Sequence, residues 1–195
     1  MKPREHIDDA QRIRQAKEGD MEAFEALVRK YQRRIYGLCR RMTGAHQSAD
    51  DLSQETFVKA YFALAGFDER FEFYSWIRRI AVNSALNYIK SRKREKPWPD
   101  NEAGIVEAAD RPSRSGRPEE SVENARFEER LAQAIETLPP GLKSVFILRF
   151  YEDQSYGEIS QTLHIPAGTV MSRLNRARRR LKAILAHSVR EDGLK

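Results

Sequence analysis

Two acidic side chains four residues apart, Asp51 and Glu55, are the first pair in the chain whose types and spacing could do chemistry. On a helix they share one face, with Asp50 and Gln54 beside them. Paired carboxylates can act as a general acid and base or hold a metal ion, but no nucleophile or glycine-rich loop accompanies these two. A docking surface for a basic partner, or a plain solvated face, fits better. We therefore expect no catalytic residue here.

A second group combines aromatic and basic side chains. Five aromatic residues crowd into positions 67 to 76, ahead of a segment rich in arginine and lysine: Phe67, Phe71, Phe73, Tyr74 and Trp76. Such clusters are most often core, and Phe67, Trp76 and Phe71 are the candidates for it. The same combination could instead stack unpaired bases and hold a nucleic-acid backbone, as single-strand-binding proteins do. The residues alone leave both interpretations open.

The third group is the arginine-rich stretch "GTVMSRLNRARRRL", residues 168–181. Apolar residues at helical spacing predict a buried stripe: Val170, Leu174, Ala177 and Leu181. The side chains opposite would face solvent or a DNA groove: Ser172, Asn175, Arg176 and Arg179. Six cations and no acid lie between residues 168 and 183. Such a face can meet phosphates and reach base edges.

The turn ahead of this stretch, "HIPAG", favours DNA binding over a merely solvated arginine helix. A short helix starting at Ser155 or Tyr156 precedes it, Pro166 interrupts the chain, and Thr169 is expected to cap the helix that follows. This is the spacing of a helix-turn-helix.

Composition narrows the class of protein. The 195 residues carry a net charge of +6 with 33% charged residues, so an anionic partner such as nucleic acid or a membrane surface is expected. No run of about 18 apolar residues predicts a transmembrane helix, and the charged first residues do not resemble a secretory signal. We expect a cytosolic protein. One cysteine, Cys39, and four scattered histidines indicate neither a disulfide nor a metal site, and Cys39 is expected to be a buried thiol.

The elements that position these residues are all predicted to be helices. Apolar residues recur at helical spacing, Ser48 is the expected N-cap of the acidic helix, and strand-like alternation is missing. Between residues 95 and 122 four prolines, two glycines and few bulky apolar residues predict a flexible linker, which holds seven acids and four bases. We predict an all-α protein with a domain at 1–94, the linker at 95–122, and a second domain at 123–190 that contains the helix-turn-helix.

Five stretches, in this order, resemble the extracytoplasmic-function (ECF) sigma factors of bacterial RNA polymerase: "GDMEAFEALVRKYQRRIYGLCRRMTG", "ADDLSQETFVKAYFAL", "FYSWIRRIAVNSALNYIK", "LPPGLKSVFILRFYEDQSYGEIS" and "IPAGTVMSRLNRARRRL". The resemblance spans about residues 10 to 186. It implies a transcription initiation factor, not an enzyme and without a cofactor, that binds core RNA polymerase and directs it to promoters.

The resemblance also implies roles for the three groups. The acidic helix would dock on the clamp helices of the largest catalytic subunit through Asp51, Gln54 and Glu55, and the second domain would contact the flap of the second subunit. The aromatic loop and the following helix would take the minus-10 element as an opened strand, through Phe67, Phe71, Tyr74, Trp76, Arg79 and Asn83. Capturing unstacked bases offsets the cost of opening the duplex.

The helix-turn-helix would read the minus-35 element in the major groove, through Thr169, Ser172, Arg173, Asn175, Arg176 and Arg179. The family pattern has a basic residue where this chain has Met171, so the contact there is expected to be lost or apolar. The linker of the family threads toward the RNA exit path, where an acidic segment could mimic RNA. A plain tether fits this linker equally well.

The short interval between the domains leaves no room for the extra helical domain of primary sigma factors. That fits a factor controlled by a separate anti-sigma protein, acting in the bacterial cytoplasm or held at the membrane through that partner.

Two other classes compete with this interpretation. A stand-alone helix-turn-helix regulator would bind duplex DNA as a dimer without polymerase, and a DNA-processing enzyme such as a recombinase would need a catalytic cluster that we do not find.

Overall fold

The computed structural model describes residues 4–95 and 120–192, and every regular element in those two ranges is helical. The elements are α1 (Arg4–Lys17), α2 (Met21–Thr43), α3 (His46–Ala63), a 3-10 turn (Leu64–Gly66), α4 (Phe73–Glu95), α5 (Glu120–Glu136), α6 (Pro140–Phe150), α7 (Tyr156–Leu163) and α8 (Ala167–Asp192). The prediction of an all-α protein is confirmed. Most of the linker predicted at 95–122 lies outside the described residues.

The chain divides into two compact units, Met1–Arg92 and Lys93–Lys195. In the first unit, α2 has a marked start and a marked end. Asp20 precedes it and accepts hydrogen bonds from the backbone N–H groups of Glu22 and Ala23, at 2.9 and 3.1 Å. Gly44 follows it in the left-handed conformation, φ 79°, and its N–H donates to the Arg40 carbonyl. The fully buried residues between these caps include Leu27, Ile35 and Leu38.

The predicted start of the acidic helix is wrong. α3 begins at His46, after an Ala45 that makes no side-chain capping bond. Ser48 lies inside the helix, is buried, and shares a hydrogen bond of 2.6 Å with the hydroxyl of Tyr88 on α4. A buried hydroxyl needs a partner, and here the partner comes from a neighbouring helix instead of from the backbone of its own first turn.

The second unit packs α5 and α6 against α8, around a core formed by Ala134, Ile135, Leu138, Phe146, Ala177 and Leu181. α7 begins at Tyr156, one of the two predicted starts, and Ser155 caps it and forms a reciprocal capping box with Glu158. His164 ends α7 with φ 52°, a conformation that lets the chain turn sharply into α8. This pair of helices is the predicted helix-turn-helix.

The expected cap at Thr169 is wrong because α8 begins earlier, at Ala167. The carbonyl of Pro166 accepts the backbone N–H groups of Thr169 and Val170, at 2.8 and 3.1 Å. Pro166 therefore supplies the first carbonyl acceptor of α8, and Thr169 lies within the first turn of that helix. Within the two described ranges, none of the helices has the length and hydropathy needed to cross a bilayer.

Candidate nucleic-acid and polymerase interfaces

The predicted division of α8 into two faces is confirmed. Val170, Leu174, Ala177 and Leu181 are all buried, with at most 4% of their surface exposed. The polar residues of the other face are all exposed: Ser172, Asn175, Arg176 and Arg179. The apolar stripe packs α8 against its own unit, and the opposite polar face is left open to solvent.

Two of the predicted minus-35 residues have a partly structural setting. Thr169 is half-buried, and its carbonyl accepts a hydrogen bond of 3.0 Å from the hydroxyl of Ser172. Arg173 is also half-buried, and its guanidinium lies 3.6 Å from where a β-carbon on Gly141 would stand, at the start of α6. Arg173 therefore lies at the edge of the exposed face, whereas Arg176 and Arg179 lie fully on it.

In the first unit, the aromatic cluster separates into buried and exposed members. Phe67 is buried, with its ring centroid 4.9 Å from that of the half-buried Trp76. Tyr74 is also buried, stacked 5.7 Å from Tyr31 and covered by the guanidinium of Arg34 at 3.6 Å. The rings of Phe67 and Tyr74 therefore belong to the core, and the exposed members of the aromatic cluster lie outside this buried aromatic layer.

Phe71 is 66% exposed, so of the two interpretations left open for this residue, the structure excludes a place in the core. It lies in the loop between the 3-10 turn and α4, where its N–H donates to the carbonyl of Asp68 at 3.1 Å. The loop thus holds Phe71 outside the core and presents its ring to solvent. Arg79 is exposed and Asn83 half-buried, one turn apart on α4.

The loop that presents Phe71 is held by charged side chains. Lys17 of α1 donates to the Phe67 carbonyl at 2.8 Å and to Glu69 at 3.0 Å. Asp68 accepts hydrogen bonds from the backbone N–H and the guanidinium of Arg70, and these bonds lower the pKa of the Asp68 carboxyl to about 2. The Asp68 carboxylate is therefore ionised, and its hydrogen bonds with Arg70 persist, throughout the neutral pH range.

Hydrogen bonds from Lys30 and Tyr31 to Asp9 connect α1 to α2 beside the buried aromatic layer. Asp9 is buried and accepts hydrogen bonds from Lys30, at 2.9 Å to each oxygen, and from the hydroxyl of Tyr31. Burial raises the pKa of Tyr31 well above its usual value, and the bond to Asp9 adds to the rise. The Tyr31 hydroxyl thus stays protonated, and its ring supports Tyr74 from below.

The acidic face of α3 is exposed as expected, with Asp51, Gln54 and Glu55 all open to solvent. Glu55 forms an ion pair with Lys59 one turn on, and Asp51 accepts a hydrogen bond of 3.1 Å from Gln47. Pairs of this kind on an exposed helix contribute little to stability, so a basic partner can displace them at low cost.

Sequence reasoning missed the apolar half of this face. Val58 is 56% exposed and Phe62 is 80% exposed, and they follow Gln54 at intervals of four residues. Residues at this spacing share one side of a helix. In the sequence, Val58 and Phe62 form a second apolar stripe offset from Phe57, Ala60 and Leu64, and helical spacing alone does not tell which of the two stripes is buried. The exposed face of α3 thus joins acidic and apolar groups in one strip.

No group of three or more His, Cys, Asp or Glu side chains within the described residues is placed to hold a metal ion. The described surfaces offer recognition chemistry: an exposed basic face on α8 in one unit, and in the other the exposed ring of Phe71 and the acidic and apolar strip of α3.

Known families match both units. Sigma-70 region 2 matches residues 27–95, and sigma-70 region 4 matches residues 128–181. The RNA polymerase sigma-H factor of Pseudomonas aeruginosa is 37% identical over 94% of this chain and 96% of its own. The ECF RNA polymerase sigma factor SigW of Bacillus subtilis is 34% identical over 88% of this chain and 93% of its own.

Two solved structures resemble the fold. CnrH, in complex with the cytosolic domain of CnrY, has a TM-score of 0.63 and 25% identity, and the match covers 92% of this chain and 98% of CnrH. The sigma factor RpoE of Bartonella quintana, in complex with the anti-sigma factor NepR, has a TM-score of 0.66 and 22% identity, covering 85% of this chain and 98% of RpoE.

The two units and the helix-turn-helix therefore define a sigma-70-type transcription initiation factor with regions 2 and 4. Within that class, the relatives above share 34% to 37% identity with this chain over nearly its whole length, which identifies the subfamily. The chain belongs to the ECF sigma factors of bacterial RNA polymerase.

Proposed function

We propose that this protein binds core RNA polymerase and directs it to a specific set of promoters, acting by recognition and without catalysing a reaction of its own. The observation that carries the proposal is the helix-turn-helix whose apolar stripe is buried while its arginine and asparagine side chains are exposed. A single recognition helix with this polarity binds phosphates through its cations and base edges through its forked side chains.

The minus-35 element is read by the exposed face of α8. Arg176 and Asn175 can each form paired hydrogen bonds with a purine, arginine with guanine and asparagine with adenine. Arg179, farther along the helix, faces the same way and suits a phosphate. Arg173 and Thr169, being half-buried, fix the approach of the helix to the backbone.

The minus-10 element is captured by the loop before α4 and by α4 itself. The exposed Phe71 offers a stacking platform for an unpaired base, while Arg79 and Asn83 offer contacts to the strand. Phe67 and Tyr74 are buried, so we assign them, with the half-buried Trp76, the task of supporting the loop. Stacking is tolerant of sequence, and polar contacts would supply the selectivity.

Core polymerase is bound by the exposed strip of α3. Asp51, Gln54 and Glu55 supply the negative charge that orients a basic partner, and the neighbouring Val58 and Phe62 supply apolar area to bury. The partners expected for these surfaces are the clamp helices of the largest catalytic subunit and, for the second unit, the flap of the other large subunit.

Regulation by an anti-sigma factor is supported by the two solved structures that resemble this fold. In one, RpoE is bound to the anti-sigma factor NepR, and in the other, CnrH is bound to the cytosolic domain of CnrY. We place the protein in the cytoplasm, where polymerase and promoter DNA are, with the anti-sigma factor as the partner that can hold it at the membrane. The working division is region 2 at 1–94, a linker at 95–122 and region 4 at 123–190.

The test begins with purified core RNA polymerase. The full chain should co-purify with core enzyme and support run-off transcription from a discrete subset of bacterial promoter fragments. The double variant Asp51→Lys, Glu55→Lys should lose core binding, because like charges would face the partner. The matched control is Glu22→Lys, Glu25→Lys, which reverses the same charge on the exposed side of α2 and should bind core normally.

The competing function, a stand-alone regulator, makes the opposite prediction. It would leave core enzyme unbound and would bind one duplex sequence tightly without polymerase. That pair of results would overturn the proposal.

A further inference from the structure

Met171 is an exposed apolar side chain at the edge of the polar face of the recognition helix. It is 52% exposed, and it lies between the buried Val170 and the exposed Ser172. The core of this unit does not use it, because the buried stripe of α8 is completed by Leu174, Ala177 and Leu181. An isolated exposed methionine is ordinary at a protein surface, but its place on this face gives it a use.

Met171 is the fifth residue of α8, which begins at Ala167. In a helix-turn-helix the N-terminal residues of the second helix contact base edges. Asn175 lies one turn farther on, on the same side of the helix. When Asn175 contacts one base pair, Met171 can therefore reach the adjacent base pair.

The chemistry of the side chain limits what Met171 can recognise. A thioether has no hydrogen-bond donor and is only a weak acceptor, so it cannot satisfy the polar atoms of guanine, cytosine or adenine. Thymine alone presents an apolar group in the major groove, its C5-methyl. Methionine is unbranched and adaptable, which suits it to cover such a methyl group.

We propose that Met171 is a specificity residue that contacts the methyl group of one thymine in the minus-35 element and so selects a T·A pair there. The inference rests on the proposed function, since it requires α8 to read the minus-35 element. It adds an apolar contact to the polar readout by Asn175 and Arg176.

The experiment removes the methyl group and the side chain in turn. A library of minus-35 sequences is first selected with holoenzyme containing the full chain. Each thymine of the selected element is then replaced singly by deoxyuridine, which lacks only the methyl group. At one position the wild-type holoenzyme should lose about three- to fivefold in promoter affinity, the factor expected for one buried methyl group.

The Met171→Ala variant should be insensitive to that same replacement, because its side chain no longer reaches the methyl. Met21→Ala is the matched control: Met21 is 57% exposed on α2 of the other unit, and its variant should keep the full response. Selection repeated with Met171→Ala should relax the preference for thymine at that position alone.

Two outcomes would overturn the inference: no selected thymine responds to deoxyuridine in the wild type, or the response persists in Met171→Ala. Both are distinct from failure of the proposed function, in which the holoenzyme would not form or would select no promoter at all.

Discussion

At the scale of single residues, burial controls the chemistry of Cys39. The side chain is fully buried, as its apolar neighbours in the sequence predicted. Burial raises the pKa of the thiol to about 12, because the thiolate would lose its hydration. The thiol is therefore protonated at neutral pH, and it is a poor nucleophile in the folded protein.

We expect Cys39 to resist a chromogenic disulfide reagent at pH 8 in the native protein and to react fully in denaturant. Since it is the one cysteine of the chain, the signal belongs to a single site. The thiol should leave the free energy of unfolding unchanged below about pH 8.5 and lower it as pH rises from there toward 12, because the unfolded thiol ionises first. Native labelling as fast as that of the denatured chain would contradict this assignment.

At the scale of elements, α3 shows how one helix serves two surfaces. Its inner face is made of small and polar residues such as Ser48, Ser53 and Thr56, together with Leu52 and Phe57. Its outer face carries the acidic and apolar strip. Because apolar residues lie on both sides, the hydrophobic pattern of α3 alone does not tell the buried face from the exposed one.

We expect Phe62→Ala to weaken the affinity for core polymerase by about tenfold or more, because a large exposed ring beside a charged rim is a typical interface anchor. The thermal unfolding midpoint should barely change, since the ring is 80% exposed. Equilibrium binding of labelled protein to core enzyme measures the first effect and calorimetry the second. Phe127→Ala, an exposed phenylalanine on α5, is the control and should bind normally. Unaltered core affinity of Phe62→Ala would remove this ring from the docking strip.

The loop that carries Phe71 supplies the second prediction at this scale. Lys17→Met keeps most of the aliphatic stem but removes the hydrogen bonds to Phe67 and Glu69. We expect holoenzyme with this variant to bind single-stranded minus-10 DNA roughly three- to tenfold more weakly, with unchanged affinity for core enzyme. Arg29→Met, which removes an exposed cation paired with Glu25 in the same helix, is the control. If both variants retain the strand equally, the loop does not depend on α1.

At the scale of the whole molecule, the net charge of +6 favours binding to any polyanion, whereas the promoter specificity that we propose requires α8 and the loop before α4 to act on one promoter. We expect the free chain to bind duplex DNA weakly and without sequence preference, with an affinity that falls steeply as salt increases. With core enzyme, the same chain should discriminate promoters at physiological salt. Titrations of both forms on specific and scrambled duplexes would measure this. Tight sequence-specific binding by the free chain would contradict it.

Several features could be predicted from the sequence because they depend on near neighbours. The faces of α8, the start of α7 at Tyr156 and the buried Cys39 follow from helical periodicity and local hydrogen bonding. The Ser48 and Thr169 caps were predicted by the same reasoning and were wrong. Ser48 instead hydrogen-bonds to the hydroxyl of Tyr88 on α4. For Thr169, the Pro166 carbonyl accepts the first backbone hydrogen bonds of α8, so the helix begins before Thr169.

The sequence by itself determined the helical class, the helix-turn-helix with its two faces, and the family, because these are encoded in ordered local patterns. Only the tertiary structure decided that Phe67 and Tyr74 are buried while Phe71 is exposed, that Phe62 extends the acidic strip, and that Lys17 holds a loop about fifty residues away. The physical reason is that a helical period fixes which residues share a face. Whether that face is covered depends on side chains that arrive from distant parts of the chain.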